Sequence, residues 1–476
     1  MKAVETTWRK ADADIRDLTV DGRRILFHVP TTSLFELDEV AGAVLDRLDG
    51  GDTLPTLAER FGSGAVEDAL GDLAALKAVK PRQAPPPGPK ARPALPRDTL
   101  STLVLNLTTG CNLACSYCYK EDLSRPAAAA RLSQAHAERA VDLLISESGR
   151  RRRLNLTFFG GEPLTALPMI RHIVAYADRR GIEAGKDFDY SLTTNATLLD
   201  DAAIDFLAAH RFAVTVSMDG PQAVHDRNRR TIGGAGTHAV VAEKARRLLE
   251  RYRLRPVGAR VTLAAGMTDV AGIHHHLKNE IGFAEVGFAP VTAGLPAGFG
   301  LGDDDTRTVF DNLKALALEW RDAAIEGRDI GFSNISQMMT ALHEGSSKLI
   351  PCGAAVALLA VDTDGGLALC HRFAGSGQDT FGHVDSGVDH AAVAAFVDRA
   401  QDRSEGFCGD CHARHLCAGG CYHESYARHG DMFRPTDHYC GLMREWVDLG
   451  IAIYAGIMAA NPNFMARRTG PRGSDS

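Results

Sequence analysis

The chain has 476 residues, 45% hydrophobic and 24% charged, which is an ordinary water-soluble globular composition and long enough for two or three domains. A net charge of −7 argues against a nucleic-acid partner, which normally meets a basic surface, and Arg150-Arg151-Arg152-Arg153 reads as a solvated turn before a strand. No secretory signal heads the sequence, and its most apolar late stretch, Leu449 to Ala460, is 12 residues where a bilayer needs ~20. A cytoplasmic protein with no membrane partner is therefore expected, and ten cysteines in a reducing compartment point to metal or catalytic use rather than disulfides.

Residues 1–80 are predicted to form a first domain. Arg24 to Val29 reads as a strand, and Leu37 to Leu48 places apolar residues at helical spacing until Asp49-Gly50-Gly51 stops it. Amphipathic segments follow at about 54–61 and 65–78. A strand and three short helices predict a winged-helix-like unit. The arrangement resembles the RiPP recognition element, which implies capture of a precursor's leader segment as an added strand.

Positions 81–96 (PRQAPPPGPKARPALP) hold seven of the 20 prolines, so 81–100 reads as a semi-rigid linker. From 101 to 330, strand-like and helical runs alternate. Strands are predicted at Thr102–Leu107, Leu154–Phe159, Tyr190–Thr194, Ala213–Met218, Gly258–Leu263 and Glu285–Pro290. Helices are predicted at Ser133–Glu147, 166–180, 200–210 and 237–252. About six βα units predict an α/β fold, a partial (β/α)6 TIM barrel with its chemistry at the C-terminal strand ends. Asp303-Asp304-Asp305 opens a helix over about 306–326. The remainder, 331–476, is rich in loops and cysteine up to a last helix near 441–460. The run His274-His275-His276 reads as a solvated helix face.

The first strand is followed by CNLACSYC, with Cys111, Cys115 and Cys118 spaced x3 and x2. Three thiolates can hold a [4Fe–4S] cube and leave one iron without a protein ligand; taken alone, the octapeptide also fits a three-cysteine zinc site. The later strands end in Phe159-Gly160-Gly161-Glu162-Pro163, Thr193-Thr194-Asn195-Ala196-Thr197 and Ser217-Met218-Asp219-Gly220, with His225-Asp226-Arg227-Asn228-Arg229 beyond. In this order the set resembles the radical S-adenosylmethionine (SAM) enzymes. The resemblance implies that the open iron chelates SAM and that its cleavage yields a 5′-deoxyadenosyl radical. It implies that Gly160, Gly161, Glu162 and Pro163 bind the SAM amino group, and that Asn195, Ser217 and Asp219 contact its ribose and methionine parts. Arg229 would face its carboxylate, and Tyr117 would lie near the adenine.

Seven more cysteines follow. Cys352-x12-Gly365-x4-Cys370 precedes Cys408-x2-Cys411-x5-Cys417-x3-Cys421, and Cys440 follows after 18 intervening residues. Cys408 to Cys421 alone could be a zinc knuckle. The whole pattern resembles the SPASM extension of peptide-modifying radical SAM enzymes. That implies two auxiliary [4Fe–4S] clusters, one on Cys408, Cys411, Cys417 and Cys440 and one on Cys352, Cys370 and Cys421, hence three clusters in all. The second set lacks a fourth cysteine, because His343 to Pro351 contains none.

Length, the first domain, the cysteine spacing and Cys370-His371-Arg372-Phe373-Ala374-Gly375 together resemble the quinohemoprotein amine dehydrogenase maturation enzymes. The resemblance implies thioether cross-links between Cys sulfur and Asp or Glu methylene carbons of a small protein subunit. It also implies a precursor peptide or subunit with a leader as partner, and an external electron donor of the flavodoxin or ferredoxin type. The alternatives are Cα-thioether or C–C cross-linking of another leader-bearing peptide, or sulfatase-type oxidation of Ser or Cys to formylglycine. No general base is assigned; His371, His383 and Asp385 are candidates.

Overall fold

The computed structural model describes residues 8–49, 55–82, 99–118, 129–291, 298–378 and 380–470. The glycines of the expected helix stop, Gly50 and Gly51, and most of the proline-rich linker lie outside these residues.

In chain order the strands are β1 (Trp8–Lys10), β2 (Ile15–Val20), β3 (Arg23–His28), β4 (Ser33–Leu37), β5 (Val79–Pro81), β6 (Thr102–Asn106), β7 (Arg153–Phe159), β8 (Asp187–Thr194), β9 (Ala213–Ser217), β10 (Gly258–Leu263), β11 (Glu285–Pro290), β12 (Leu358–Val361), β13 (Gly366–Ala368), β14 (Thr380–His383) and β15 (Gly387–Val388). Strands β6 to β11 pair in parallel and in sequence order. An unreversed order is the winding of a barrel; a doubly wound sheet would reverse direction at a switch point. Helices Gln134–Glu147, Leu167–Ala184, Asp201–Ala209, His238–Arg251 and Val270–His275 make the crossovers. Ser133 caps the first of these by accepting from the His136 N–H, as its position predicted.

Side-chain alternation sorts the two faces of this sheet. Phe158, Tyr190 and Phe212 stack together, and Tyr190 Oη donates to Asp178 on helix 167–184. These residues face the helices, and each contributes about 1.5–3 kcal/mol by burial. Their strand neighbours point the other way, so Thr157, Ser191 and Asn155 hydrogen-bond to one another on the inner face. On β10, Ala259, Val261 and Leu263 are buried, which leaves Arg260 and Thr262 inward.

The late, cysteine-rich segment joins this same sheet. β12 runs parallel to β6 along its outer edge, and β13, β14 and β15 continue antiparallel, giving ten strands. An edge strand otherwise leaves its amides unpaired, and β12 removes that liability from β6.

The N-terminal residues form an antiparallel β2–β3–β4 sheet, a β1–β5 ribbon and helices Glu39–Asp49, Pro55–Phe61 and Ser63–Ala75. β3 serves two cores by alternation: Leu26 packs with Leu45, Leu70 and Leu73, while Ile25 and Phe27 join the main core. The sheet docks on helix Cys440–Ala460, where Arg16 meets Asp448 at 2.7 Å and Arg23 donates to Ala455 O at 3.2 Å. Arg414, between Cys411 and Cys417, pairs with Asp14 at 2.7 Å.

The histidine run departs from expectation. His274 and His276 are buried, and only His275 is solvated. The helix passes into a π-helical turn, His276–Ile281, which turns His276 inward onto Glu280 (2.8 Å) and His238 (3.2 Å).

Candidate functional site

The loop after β6 carries Cys111, Cys115 and Cys118, and two segments hold it. From the β7 side, Gly161 N–H donates to Thr108 O at 2.8 Å and Glu162 N–H to Gly110 O at 3.1 Å. A Cβ on Gly160 would lie 2.6 Å from Thr108 O, and one on Gly161 only 2.0 Å from Gly110 O. The paired glycines thus admit backbone against backbone immediately before Cys111. From the other side, Ala114 N–H donates to Arg230 O (2.8 Å), Ser116 N–H to Asn228 O (3.0 Å) and Ser116 Oγ to Asn228 Oδ1 (2.8 Å).

Glu162 caps the short 3-10 helix Pro163–Ala166 and is 1% exposed. Its carboxylate accepts from Leu164 N–H (3.1 Å), Thr194 Oγ1 (2.7 Å) and Asn195 N–H (2.7 Å). Burial raises its pKa, and these three donors oppose the rise. Asn195 then donates to Asn112 Oδ1 (3.0 Å) and, weakly, to Cys111 Sγ (3.9 Å), so the ends of β7 and β8 converge on the cysteine loop.

The third wall is a buried network around Asp219. Arg229 grips its two oxygens through Nε (2.9 Å) and Nη2 (3.2 Å), Tyr117 Oη donates to Oδ2, and Thr262 N–H donates to Oδ1 at 3.0 Å. Burial, the largest single influence, lowers the pKa of Arg229, but Asp219, Tyr117 and Cys115 together outweigh it and the net shift is upward. His225 Nδ1 accepts from Asp219 N–H at 3.3 Å, and Nε2 pairs with Thr237 Oγ1, which itself donates to Arg229 O. Burial, with Arg229 beside it, lowers the His225 pKa to about 4 and keeps the ring neutral. Ser217 is half-buried on the inner face, in register with Arg260.

Burial and its neighbouring cysteines push the Cys115 thiol up to about 11, while Arg229 opposes them. A metal or cluster would replace the proton these close-set sulfurs otherwise keep, so the donor set fits an iron–sulfur group. The seven later cysteines fall into two groups. Cys408, Cys411, Cys417 and Cys440 line a single pocket with Gly419, Thr436 and Tyr439. Cys352, Cys370 and Cys421 lie within electrostatic reach of one another. Burial raises Cys408 and Cys417 to about 11 and Cys370 to about 12, the same signature as at Cys115. In the stretch before Cys352, His343 spends its ring nitrogens on Tyr454 Oη (3.1 Å) and Gly470 O (3.0 Å), which removes it as a fourth ligand.

Of the three base candidates, His371 packs on Phe159 at the inner end of β7, with ring centroids 4.4 Å apart. His383 and Asp385 instead gather with His136 and Arg139 on helix 134–147. The ring nitrogens of His383 are engaged by Asp385 N–H and Asp364 O. Reading the sequence missed Arg260, which is solvent-exposed yet crowded by protein. Burial and nearby Arg372 lower its pKa, and among the described residues its guanidinium has no hydrogen-bond or ion-pair partner. Its signal was available: a lone charge at an alternate position of the strand Gly258-Ala259-Arg260-Val261-Thr262-Leu263.

Comparisons with known proteins agree with this geometry. Residues 105–270 match the family model of the radical SAM superfamily. The cysteine-type anaerobic sulfatase-maturating enzyme of Clostridium perfringens is 32% identical over 163 residues, covering 33% of this chain and 42% of that relative. The serine-type enzyme of Klebsiella aerogenes is 26% identical over 320 residues, covering 65% of this chain and 76% of that relative. Among solved structures, native anSMEcpe with bound AdoMet superposes with a TM-score of 0.64 at 22% identity, over 76% of this chain and 99% of its own. Streptococcus suis SuiB bound to precursor peptide SuiA gives 0.51 at 14% identity, over 91% and 99%. The two structural likenesses are of fold. With the cysteine loop seated between the ends of β7, β8 and β9, and the superfamily match spanning those same strands, residues 105–270 form a radical SAM domain.

Proposed function

We propose that this chain is a peptide-modifying radical SAM enzyme that joins Cys sulfur to Asp or Glu methylene carbons of a leader-bearing peptide or small subunit. The observation that carries the reading is the Phe159–His371 contact at 4.4 Å. It brings the Cys370 segment to the same barrel mouth that receives Cys111, so a peptide held there meets both cysteine regions.

Cys111, Cys115 and Cys118 would hold the SAM-binding cluster; Cys352, Cys370 and Cys421, and Cys408, Cys411, Cys417 and Cys440, would hold two auxiliary ones. When bound, SAM and its cluster supply a 5′-deoxyadenosyl radical able to take hydrogen from an unactivated methylene. Glu162 offers a buried acceptor to the SAM ammonium, and the Asp219–Arg229–Tyr117 network fixes the wall beside it. Arg260 and Arg372 give the inner face positive charge suited to a substrate carboxylate. The net change at the peptide is loss of a C–H hydrogen atom and of the S–H proton with one electron, and gain of a C–S bond. That electron would leave to the protein's redox partner. The leader would add to β4, since β2, the other edge of the three-stranded sheet, lies against helix 440–460.

Formylglycine formation is the second reading, favoured by the 65% coverage of this chain by the serine-type sulfatase-maturating enzyme. One experiment separates them: reconstituted enzyme with SAM, reductant and a leader-bearing peptide that contains Cys, Ser, Asp and Glu, followed by mass spectrometry. Loss of two hydrogens per link, with fragments locating Cys–Asp or Cys–Glu pairs, supports cross-linking. An aldehyde at a single Ser or Cys, trapped by a hydrazide, supports the sulfatase-type reaction. An unchanged peptide despite SAM cleavage overturns the cross-linking assignment for that peptide.

A further inference from the structure

Arg403 sits near the C-terminal end of helix His390–Glu405 and is 5% exposed. A buried guanidinium normally faces a carboxylate, because an uncompensated charge costs several kcal/mol to bury. Here no carboxylate pairs with it among the described residues. Nη2 donates to Gly419 O, to Gly420 O (3.1 Å) and to Ser425 Oγ (3.4 Å), and the group lies over the Tyr422 ring at 4.8 Å. Nε and Nη1 are buried and, among the described residues, have no acceptor.

The backbone is shaped around this cation. Gly419 and Gly420 both have positive φ, +78° and +83°, and a Cβ on Gly419 would lie 2.5 Å from Arg403 Nε. Gly419 lines the pocket of Cys408, Cys411, Cys417 and Cys440, whereas Gly420 directly precedes Cys421 of the other group. The charge reaches Cys352 of one group and Cys408 and Cys440 of the other. A buried cation with two idle donors, placed between two sets of sulfurs, requires a buried anion that accepts hydrogen bonds. Thiolates holding iron–sulfur clusters meet that requirement, and neutral thiols do not.

We propose that Arg403 is the shared counter-charge of the two auxiliary cluster sites, donating Nε–H and Nη1–H toward their sulfurs and holding both at a higher reduction potential. This rests on the reading that the seven cysteines bind two clusters. Hydrogen bonds to cluster sulfurs and nearby positive charge favour the reduced, more negative state.

The test uses the full-length chain, reconstituted anaerobically, as wild type, Arg403→Met and Arg403→Lys. Iron and sulfide content is measured first, then midpoint potentials by EPR-monitored redox titration. About twelve irons per wild-type chain are expected, and about four would remove the two-cluster reading itself. With that reading intact, Arg403→Met should shift both auxiliary potentials negative, leave the Cys111 cluster unmoved, and be largely corrected by lysine. If Arg403→Met instead loses auxiliary iron while Arg403→Lys keeps it, the charge requirement is equally upheld. Unchanged auxiliary potentials in fully loaded Arg403→Met overturn the proposal. So does equal loss of auxiliary iron from a folded Arg403→Lys, because the role would then be steric.

Discussion

Asp219 and Arg229 form a two-point ion pair at 2.9 and 3.2 Å inside the barrel mouth, with the aspartate 0% and the arginine 7% exposed. The pair connects the end of β9 to the segment that pins the cysteine loop, through Asn228 and Arg230. Asp219→Asn leaves the guanidinium buried without its counter-charge, and breaking such a pair costs about 3–5 kcal/mol. Urea unfolding of the metal-free protein should report a loss of that size, and SAM affinity of the reconstituted enzyme should fall with it. Arg229→Lys keeps the charge and loses the fork, so its loss should be smaller. Stability of Asp219→Asn within about 1 kcal/mol of wild type would mean that the pair is not closed in solution.

The second prediction concerns Gly161. Its added Cβ would meet the Gly110 carbonyl, one residue before Cys111, and backbone cannot swing aside as a long side chain can. Gly161→Ala should therefore displace the cysteine loop before it unfolds the sheet. The expected result is a folded protein by circular dichroism that loses the iron of the Cys111 site and its SAM cleavage while retaining the iron of the later cysteines. The reverse pattern of iron loss would contradict this placement.

These two sites also show what could be read from the sequence. Each barrel strand was legible because alternation and flanking turn residues are local signals, and β10 and β11 fall on their predicted bounds. The proline-flanked front unit was legible as a strand with three helices, but not β2 and β4. Those strands take their meaning from pairing with β3 and from docking on a helix some 430 residues later. β12 was invisible for the same reason: Leu358–Val361 is a four-residue strand whose partner, β6, lies about 250 residues earlier. The motif residues were legible as types, yet not their pairings. Nothing local says that Arg229 closes on Asp219, or that Tyr117 donates to that same carboxylate.

His225 gives a pH dependence with a definite sign. Its folded pKa, about 4, lies below the ordinary histidine value of 6.5, because the ring is buried beside Arg229 and Nδ1 accepts from Asp219 N–H. Between these values the unfolded chain binds the proton and the folded chain does not. Stability is therefore fully present above pH 6.5 and falls as pH drops toward 4, by about 3 kcal/mol from this one group. His225→Gln keeps an acceptor for the Asp219 amide and removes the titration. Its unfolding free energy should run flatter with pH than wild type in this window, as measured by denaturant titrations at stepped pH. A wild-type slope retained by the variant would assign the acid sensitivity elsewhere.

The last prediction tests which carboxylate the inner face receives. Arg260 lies in register with Ser217, and a Cβ on neighbouring Gly287 would come within 3.3 Å of its Nη1, so β11 makes room for the guanidinium. Arg372 follows His371 from the Cys370 segment and raises the positive charge at Arg260. Two cations brought together from a barrel strand and a late loop suit an anion that arrives between them, which in the proposed reaction is the Asp or Glu side chain of the peptide. Each charge-assisted hydrogen bond is worth about 1.5–3 kcal/mol, so Arg260→Met should raise the peptide KM roughly tenfold to a hundredfold. Arg372→Met should act in the same direction. A peptide whose target Asp is replaced by Asn should lose affinity for wild type and lose little more for Arg260→Met, since the partner it needs is already gone. If Arg260→Met instead weakens SAM binding in equilibrium dialysis and leaves the peptide KM unchanged, the carboxylate held by Arg260 is that of SAM, and recognition of the acidic side chain lies elsewhere on the barrel mouth.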